Sequence, residues 1–199
     1  MAPFSAKDVQ ELRQRTGAGM MDCKKALDET GGDIDKAVEN LRSRGVAKAE
    51  KRAGRTTSEG IIGHYIHHNG KVAALVEINC ETDFVARTDD FKDLARFIAE
   101  HIAATAPLAV DKDGIPAAVV DSERRIAEEQ TRQSGKPEAM LQKIVDGKIE
   151  AFFKDVTLLS QPWVRDPKKT ISDLVKEVSA KTGENIQVKR FARLQLGEG

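Results

Sequence analysis

A chain of 199 residues can build one substantial core, or one core with a small satellite domain. Its 32 Lys and Arg balance 32 Asp and Glu, so no net field draws it to nucleic acid, and 32% charged with 40% apolar residues describes a soluble globular chain, not a disordered one. No apolar run nears the ~20 residues that span a bilayer, no charged-then-apolar leader opens the chain, and Cys23 and Cys80 stand alone; a cytoplasmic protein without membrane or nucleic-acid partners is expected.

The first 45 residues predict three short helices. Ser5 and Asp8 form a capping-box pattern with Phe4 and Val9 at the staple positions, and Thr16-Gly17 ends the helix. A second helix runs through Met21, Cys23, Ala26 and Leu27 until Gly31-Gly32. Asp33 caps a third, in which Ile34, Ala37, Val38 and Leu41 form one stripe and Gly45 closes the pattern. Residues 1–52 are therefore an adaptor-sized module with a core too small to enclose an active site. Met20 and Met21, on the turn into the second helix, suit either core filling or an adaptable exposed contact. Residues 46–59 carry no apolar stripe. Lys48, Lys51, Arg52 and Arg55 face only Glu50 and Glu59, as in a solvated linker whose first half can be helical. Without interleaved aromatics this basic stretch gives a nucleic acid no stacking platform.

Residues 53–199 then alternate strand and helix patterns. Ile61 to His68 pairs with Lys71 to Asn79 across Asn69-Gly70, a strong hairpin signal. The stretch Asn79-Cys80-Glu81-Thr82-Asp83-Phe84-Val85-Ala86 belongs to neither neighbouring pattern. Thr82 can cap a short turn, with Asp83 at its positive end. Phe84 and Val85 are out of step with the next helix, which Thr88 caps and whose stripe is Phe91, Leu94, Ala95, Ile98 and Ile102. Phe84 is thus either a core anchor or a ring offered for insertion into something else.

After Pro107 comes a loop with Asp113-Gly114 and Pro116, then a polar helix over 121–134, broken at Gly135. Pro137 starts a helix carrying Met140, Leu141, Ile144, Val145, Ile149, Phe152 and Phe153. Val156 to Leu159 suits a short strand or the helix end, and Gln161 to Pro167 must be extended. Thr170 and Asp173 make a second capping box over the stripe Ile171, Leu174, Val175 and Val178, and Gly183 ends that helix. Ile186 to Leu194 alternates with a slip near Lys189-Arg190, for which a bulge would account. The fold class is α+β: a three-helix module, a linker, and a core with a small antiparallel sheet packed by helices.

No segment matches a phosphate loop or a dinucleotide fingerprint. His64 and His68 would share a face of one strand, but no further ligand has metal-site spacing, and nothing local pairs Cys80 with a histidine. No catalytic residue, metal or cofactor is expected, and the chain is not expected to be an enzyme.

Two segments carry a specific resemblance. Leu12-Arg13-Gln14-Arg15-Thr16-Gly17-Ala18-Gly19-Met20-Met21-Asp22-Cys23-Lys24-Lys25-Ala26-Leu27 is similar to the N-terminal signature of the bacterial translation elongation factor Ts family, and Asn79 to Ala86 is similar to its second signature. Gly183-Glu184-Asn185-Ile186-Gln187-Val188-Lys189-Arg190-Phe191 is similar as well, so the likeness covers essentially the whole chain. It implies a ubiquitin-associated-like module, a linker and one core subdomain, the short form of the family. It implies guanine-nucleotide exchange on the GDP-bound GTPase elongation factor Tu. Thr82, Asp83, Phe84 and Val85 would reach toward the partner's magnesium site, His101 would lie on a partner-contacting helix, and Arg13, Met20 and Met21 would dock the module. A homodimer and a two-to-two complex follow from the single core subdomain. The competing functions are a chaperone or adaptor that holds the GTPase without exchange, and a metal-dependent hydrolase built on the histidines.

Overall fold

Ser5 opens the structure as the sequence dictates: its hydroxyl accepts the Asp8 N–H while the Asp8 carboxylate accepts the Ser5 N–H at 2.6 Å. The computed structural model describes residues 4–134 and 137–198, and within them every side chain but those of Val46, Glu50 and Ala139. The break expected at Gly135 lies outside the described residues. Two compact units emerge. The first combines the stretch up to Ile61 with Ile78–Ala95 and Asp173–Gln187; the second combines Ile62–Glu77, Arg96–Ser172 and the stretch from Val188.

In the first unit, α1 (Ala6–Thr16), α2 (Met20–Glu29) and α3 (Ile34–Arg52) enclose Leu12, Cys23, Ala26, Leu27, Ala37 and Leu41. Phe4 and Val9 pack against this cluster, as the staple requires. The three helices are consistent with a ubiquitin-associated-like module. The third helix departs from expectation, because it runs straight through Gly45. Leu41, Gly45 and Ala49 lie at i, i+4 and i+8 and are all buried, but the last two are too small to register as an apolar stripe. Gly45 is the point where α3 meets α8 (Ile171–Thr182): a Cβ there would sit 2.9 Å from Ala180 Cβ. Arg42 pairs with Glu177 at 3.5 Å and Arg52 donates to the Ser179 carbonyl at 3.1 Å, so basic groups around the expected linker find partners on α8.

Strands β1 (Glu59–Ile66), β2 (Val72–Cys80) and β5 (Gln187–Gln195) form a sheet in the order β1-β2-β5. The hairpin turn is where Asn69-Gly70 predicted it: the Gly70 N–H donates to the His67 carbonyl and the Asn69 side chain accepts the Lys71 N–H. Ala74, Val76, Ile78 and Cys80 are buried, as is the predicted stripe of α5 (Asp89–Thr105). Along β5, Lys189 and Arg190 are exposed in succession before alternation resumes, which is the expected slip.

In the second unit, α6 (Ala117–Gln133) and α7 (Glu138–Val156) pack together around Ala127, Val145 and Ile149, with Leu141 and Phe153 at the margin. Helix α7 ends at Val156, and a 3-10 turn at Leu158–Ser160 follows. The proline-flanked run is a small antiparallel hairpin of β3 (Pro162–Trp163) and β4 (Asp166–Thr170), turning at Val164-Arg165. Among the described residues, no helix is long and apolar enough to cross a membrane.

Candidate functional site

Beyond Cys80 the chain leaves β2 and enters a four-residue helix, α4 (Asp83–Ala86). Thr82, in extended backbone, caps it: its Oγ1 accepts the Val85 N–H at 3.4 Å. Asp83 occupies the first helical position, where the backbone dipole favours a carboxylate, and pairs with Arg87 at 2.8 Å. Ala86 is buried and Val85 half-buried, whereas Phe84 is 78% exposed. That exposure removes the core-anchor alternative, since a ring anchoring a core cannot keep most of its surface in water.

A four-residue helix cannot hold itself together, so the turn depends on neighbours. The Glu184 carboxylate accepts the Glu81 N–H at 3.0 Å and the Thr82 N–H at 3.1 Å on Oε2, and the Thr82 hydroxyl at 2.6 Å on Oε1. Glu81 reciprocates, accepting the Asn185 N–H at 2.7 Å, a bond that holds its carboxyl below the usual range. The Asn185 side chain donates in turn to the carbonyls of Ala53 and Arg55. Beneath the turn, the Cys80 thiol donates to the Thr82 carbonyl at 3.2 Å. Burial, helped by the Glu184 charge, pushes this thiol up to about 11, so it remains a protonated donor and not a nucleophile.

The other candidates divide between the two units. Arg13, Met20 and Met21 lie in the same unit as the Thr82 turn and are exposed, so the methionines are not core fillers. His101 lies in the second unit, fully buried at 0% exposure. Its Nδ1 accepts the Val164 N–H at 3.4 Å, which leaves the proton on Nε2, facing Gln161 Oε1 at 2.9 Å. Burial moves its pKa below the ordinary 6.5, partly offset by the bond to Gln161. A ring with no exposed surface touches no partner directly in this conformation; what it holds is the Gln161 side chain and the Val164-Arg165 turn. Of the other histidines, only His64 lies within a strand. His67 bonds to Tyr65 beyond the end of β1 and its ring lies tilted against that of His68, so the shared strand face expected for His64 and His68 does not form. Among the described residues, no group of three or more His, Cys, Asp or Glu is arranged to hold a metal ion.

The residues that sequence reasoning passed over are Glu184, Asn185 and Gln161. The first two lie inside the third similar segment, which pointed to them without saying what they do. Comparison with known proteins gives the segment its context, since the family model described as Elongation factor TS matches residues 3–198. The chain belongs to the elongation factor Ts family. It is similar to Elongation factor Ts of Fervidobacterium nodosum, 56% identical over 195 residues that cover 98% of this chain and 99% of that one. The corresponding protein of Nitratidesulfovibrio vulgaris is 53% identical over 194 residues, 98% of this chain and 97% of its own. That of Desulfosudis oleivorans is 54% identical over 198 residues, with both chains covered at 100%. Membership in the elongation factor Ts family makes the chain a translation elongation factor, acting in protein biosynthesis.

Proposed function

We propose that the chain is a guanine-nucleotide exchange factor for elongation factor Tu: it binds the GDP-bound form, displaces that partner's Mg²⁺ and promotes GDP release so that GTP can enter during elongation. The observation that carries this reading is Phe84, an aromatic ring left in solvent at the tip of a turn whose backbone is fixed from several sides.

GTPases hold GDP through backbone N–H groups around the phosphates and through Mg²⁺ bridging phosphate oxygens to protein. Release needs no covalent step in either partner, so this chain catalyses no bond change. It must bind the partner's open state better than the closed one, or no equilibrium moves. A ring filling a pocket that exists only in the open state meets that condition, and a backbone already held in place leaves less entropy to lose on insertion. Thr82 and Val85 shape the base of the wedge, and Asp83 brings negative charge toward the phosphates. By linkage, bound nucleotide weakens the factor's own binding to the same degree. Residues 1–52 act as a second docking surface through Arg13, Met20 and Met21, raising the effective concentration of the wedge, while residues 53–199 supply exchange and dimerisation. His101 contributes by holding the Val164-Arg165 turn. The working form is a homodimer in a two-to-two complex.

The test is Phe84→Ala. An exposed ring supports no core, so the melting temperature should stay close to wild type. Truncating an aromatic hot spot costs about 2–4 kcal/mol, which predicts GDP release slowed by roughly 30-fold or more at saturating factor. GDP release at the wild-type rate would remove the wedge, and a chain that binds elongation factor Tu without accelerating release would be an adaptor.

A further inference from the structure

We infer that Glu184 is a positioning residue for nucleotide exchange, fixing through Thr82 the direction in which Phe84 is presented. This rests on the exchange reading above. An ionised carboxylate offers about four lone-pair sites, and here three bonds come from one turn of the chain about a hundred residues away: the Glu81 N–H, the Thr82 N–H and the Thr82 hydroxyl. All are charge-assisted, the strong class of hydrogen bond.

The hydroxyl bond has the largest consequence. Thr82 has a single hydroxyl hydrogen, and Glu184 Oε1 takes it at 2.6 Å. The lone pairs of Oγ1 are thereby turned toward the Val85 N–H, the bond that caps α4. Glu184 thus sets the hydroxyl rotor in its capping orientation, and a chain of carboxylate, hydroxyl and backbone amide runs into the helix bearing Phe84. The carboxylate has a fixed base of its own. The Ser179 hydroxyl of α8 donates to the Glu184 carbonyl at 2.5 Å, and Asn185 beside it is tied to Glu81, Ala53 and Arg55.

Phe84 is 78% exposed, so little of its own packing aims the ring. Its direction follows from the backbone of α4, whose N-terminal cap, Thr82, is held by the bonds that end on Glu184. A purely structural glutamate would be connected to the melting temperature. A positioning glutamate is connected to the wedge.

The experiment compares Glu184→Ala, Glu184→Gln, Phe84→Ala and the double variant Glu184→Ala/Phe84→Ala in the full chain. Amide hydrogen exchange of Glu81, Thr82 and Val85 reports the clamp without any partner. Protection should fall by about tenfold or more in Glu184→Ala, the smallest effect expected from losing a charge-assisted bond, and less in Glu184→Gln, which keeps one acceptor oxygen and the side-chain shape. GDP release from elongation factor Tu at saturating factor should slow in the same order. In the double variant Glu184→Ala should add nothing to the loss from Phe84→Ala, because the positioned group is gone. Unchanged amide protection in Glu184→Ala, or a full additional loss in the double variant, overturns the inference. Should Glu184→Ala fail to fold, Glu184→Gln decides by the same two readings. If Phe84→Ala alone leaves release at the wild-type rate, the exchange reading has failed, and amide protection still shows separately whether Glu184 holds the turn.

Discussion

His101 shows how much one proton can organise. The imidazole accepts at Nδ1 from Val164 and faces Gln161 with Nε2, a pairing that only the neutral ring can make. A protonated ring would set N–H against N–H at Val164. Burial lowers its pKa from 6.5, so the unfolded chain takes up a proton first as pH falls. Stability contributed by neutral His101 is therefore complete above pH 6.5 and is lost progressively below it. Thermal melting from pH 7 down to pH 5 should show this loss, and His101→Asn should flatten it, since an uncharged amide oxygen can accept the Val164 N–H without titrating. An unchanged slope in His101→Asn would assign the acid sensitivity to other groups. The caps at Ser5, Thr82 and Thr88 were legible because donor and acceptor stand three residues apart, and local spacing is what a sequence displays. The partners of His101 and Thr82 were not, since Gln161 is 60 residues from one and Glu184 is 102 from the other. A hydrogen bond closed by the fold leaves no periodic trace in the chain.

At the scale of elements, apolar periodicity worked wherever side chains are large. The stripes of α5 and α8 and the phase slip in β5 were all visible for that reason. It failed where the buried residues are small, as in α3, whose second half buries Gly45 and Ala49 and meets α8 at Gly45. The same substitution should therefore have opposite signs in two helices. In an open helix interior, replacing glycine by alanine gains about 1 kcal/mol. Gly147, exposed in α7 with nothing within 4 Å of its absent Cβ, should deliver that gain, so Gly147→Ala should raise the melting temperature. At Gly45 the new methyl would lie 2.9 Å from Ala180 Cβ, and overpacking costs about 1–3 kcal/mol. Gly45→Ala should leave stability unchanged or lower it by up to about 2 kcal/mol. Denaturant melts of both variants would check the pair; a gain at Gly45 as large as at Gly147 would mean that α3 can move off α8 without cost.

For the whole molecule, the decisive surface is the uncovered face of the sheet. Burial of Ala74 and Val76 turns Leu75 and Glu77 to the opposite side of β2, and the ion pair of Arg190 with Glu77 at 2.6 Å places Arg190 on that side too. Alternation along β5 then carries Leu194 to the same face. Ile62, Ile66, Leu75 and Leu194 are each between 51% and 72% exposed there. Apolar groups gathered in this way are uncommon on monomers and match the self-complementary patch of a two-fold dimer. A two-fold interface also counts every substitution twice. Burying an uncompensated carboxylate costs several kcal/mol, so Leu194→Glu, present in both protomers, should weaken the dimer by roughly 1000-fold or more. Ile126→Glu, on an exposed apolar position of α6, is the control and should leave assembly intact. Light scattering at micromolar concentration should give twice 21.8 kDa for the wild type and the control, and a mass near 21.8 kDa for Leu194→Glu. Each chain carries its own Thr82 turn, so the monomeric variant should still bind elongation factor Tu, with the stoichiometry reduced from two-to-two to one-to-one. A wild-type chain that scatters as a monomer, or a Leu194→Glu chain that remains a dimer, would show that this face is not where two copies meet.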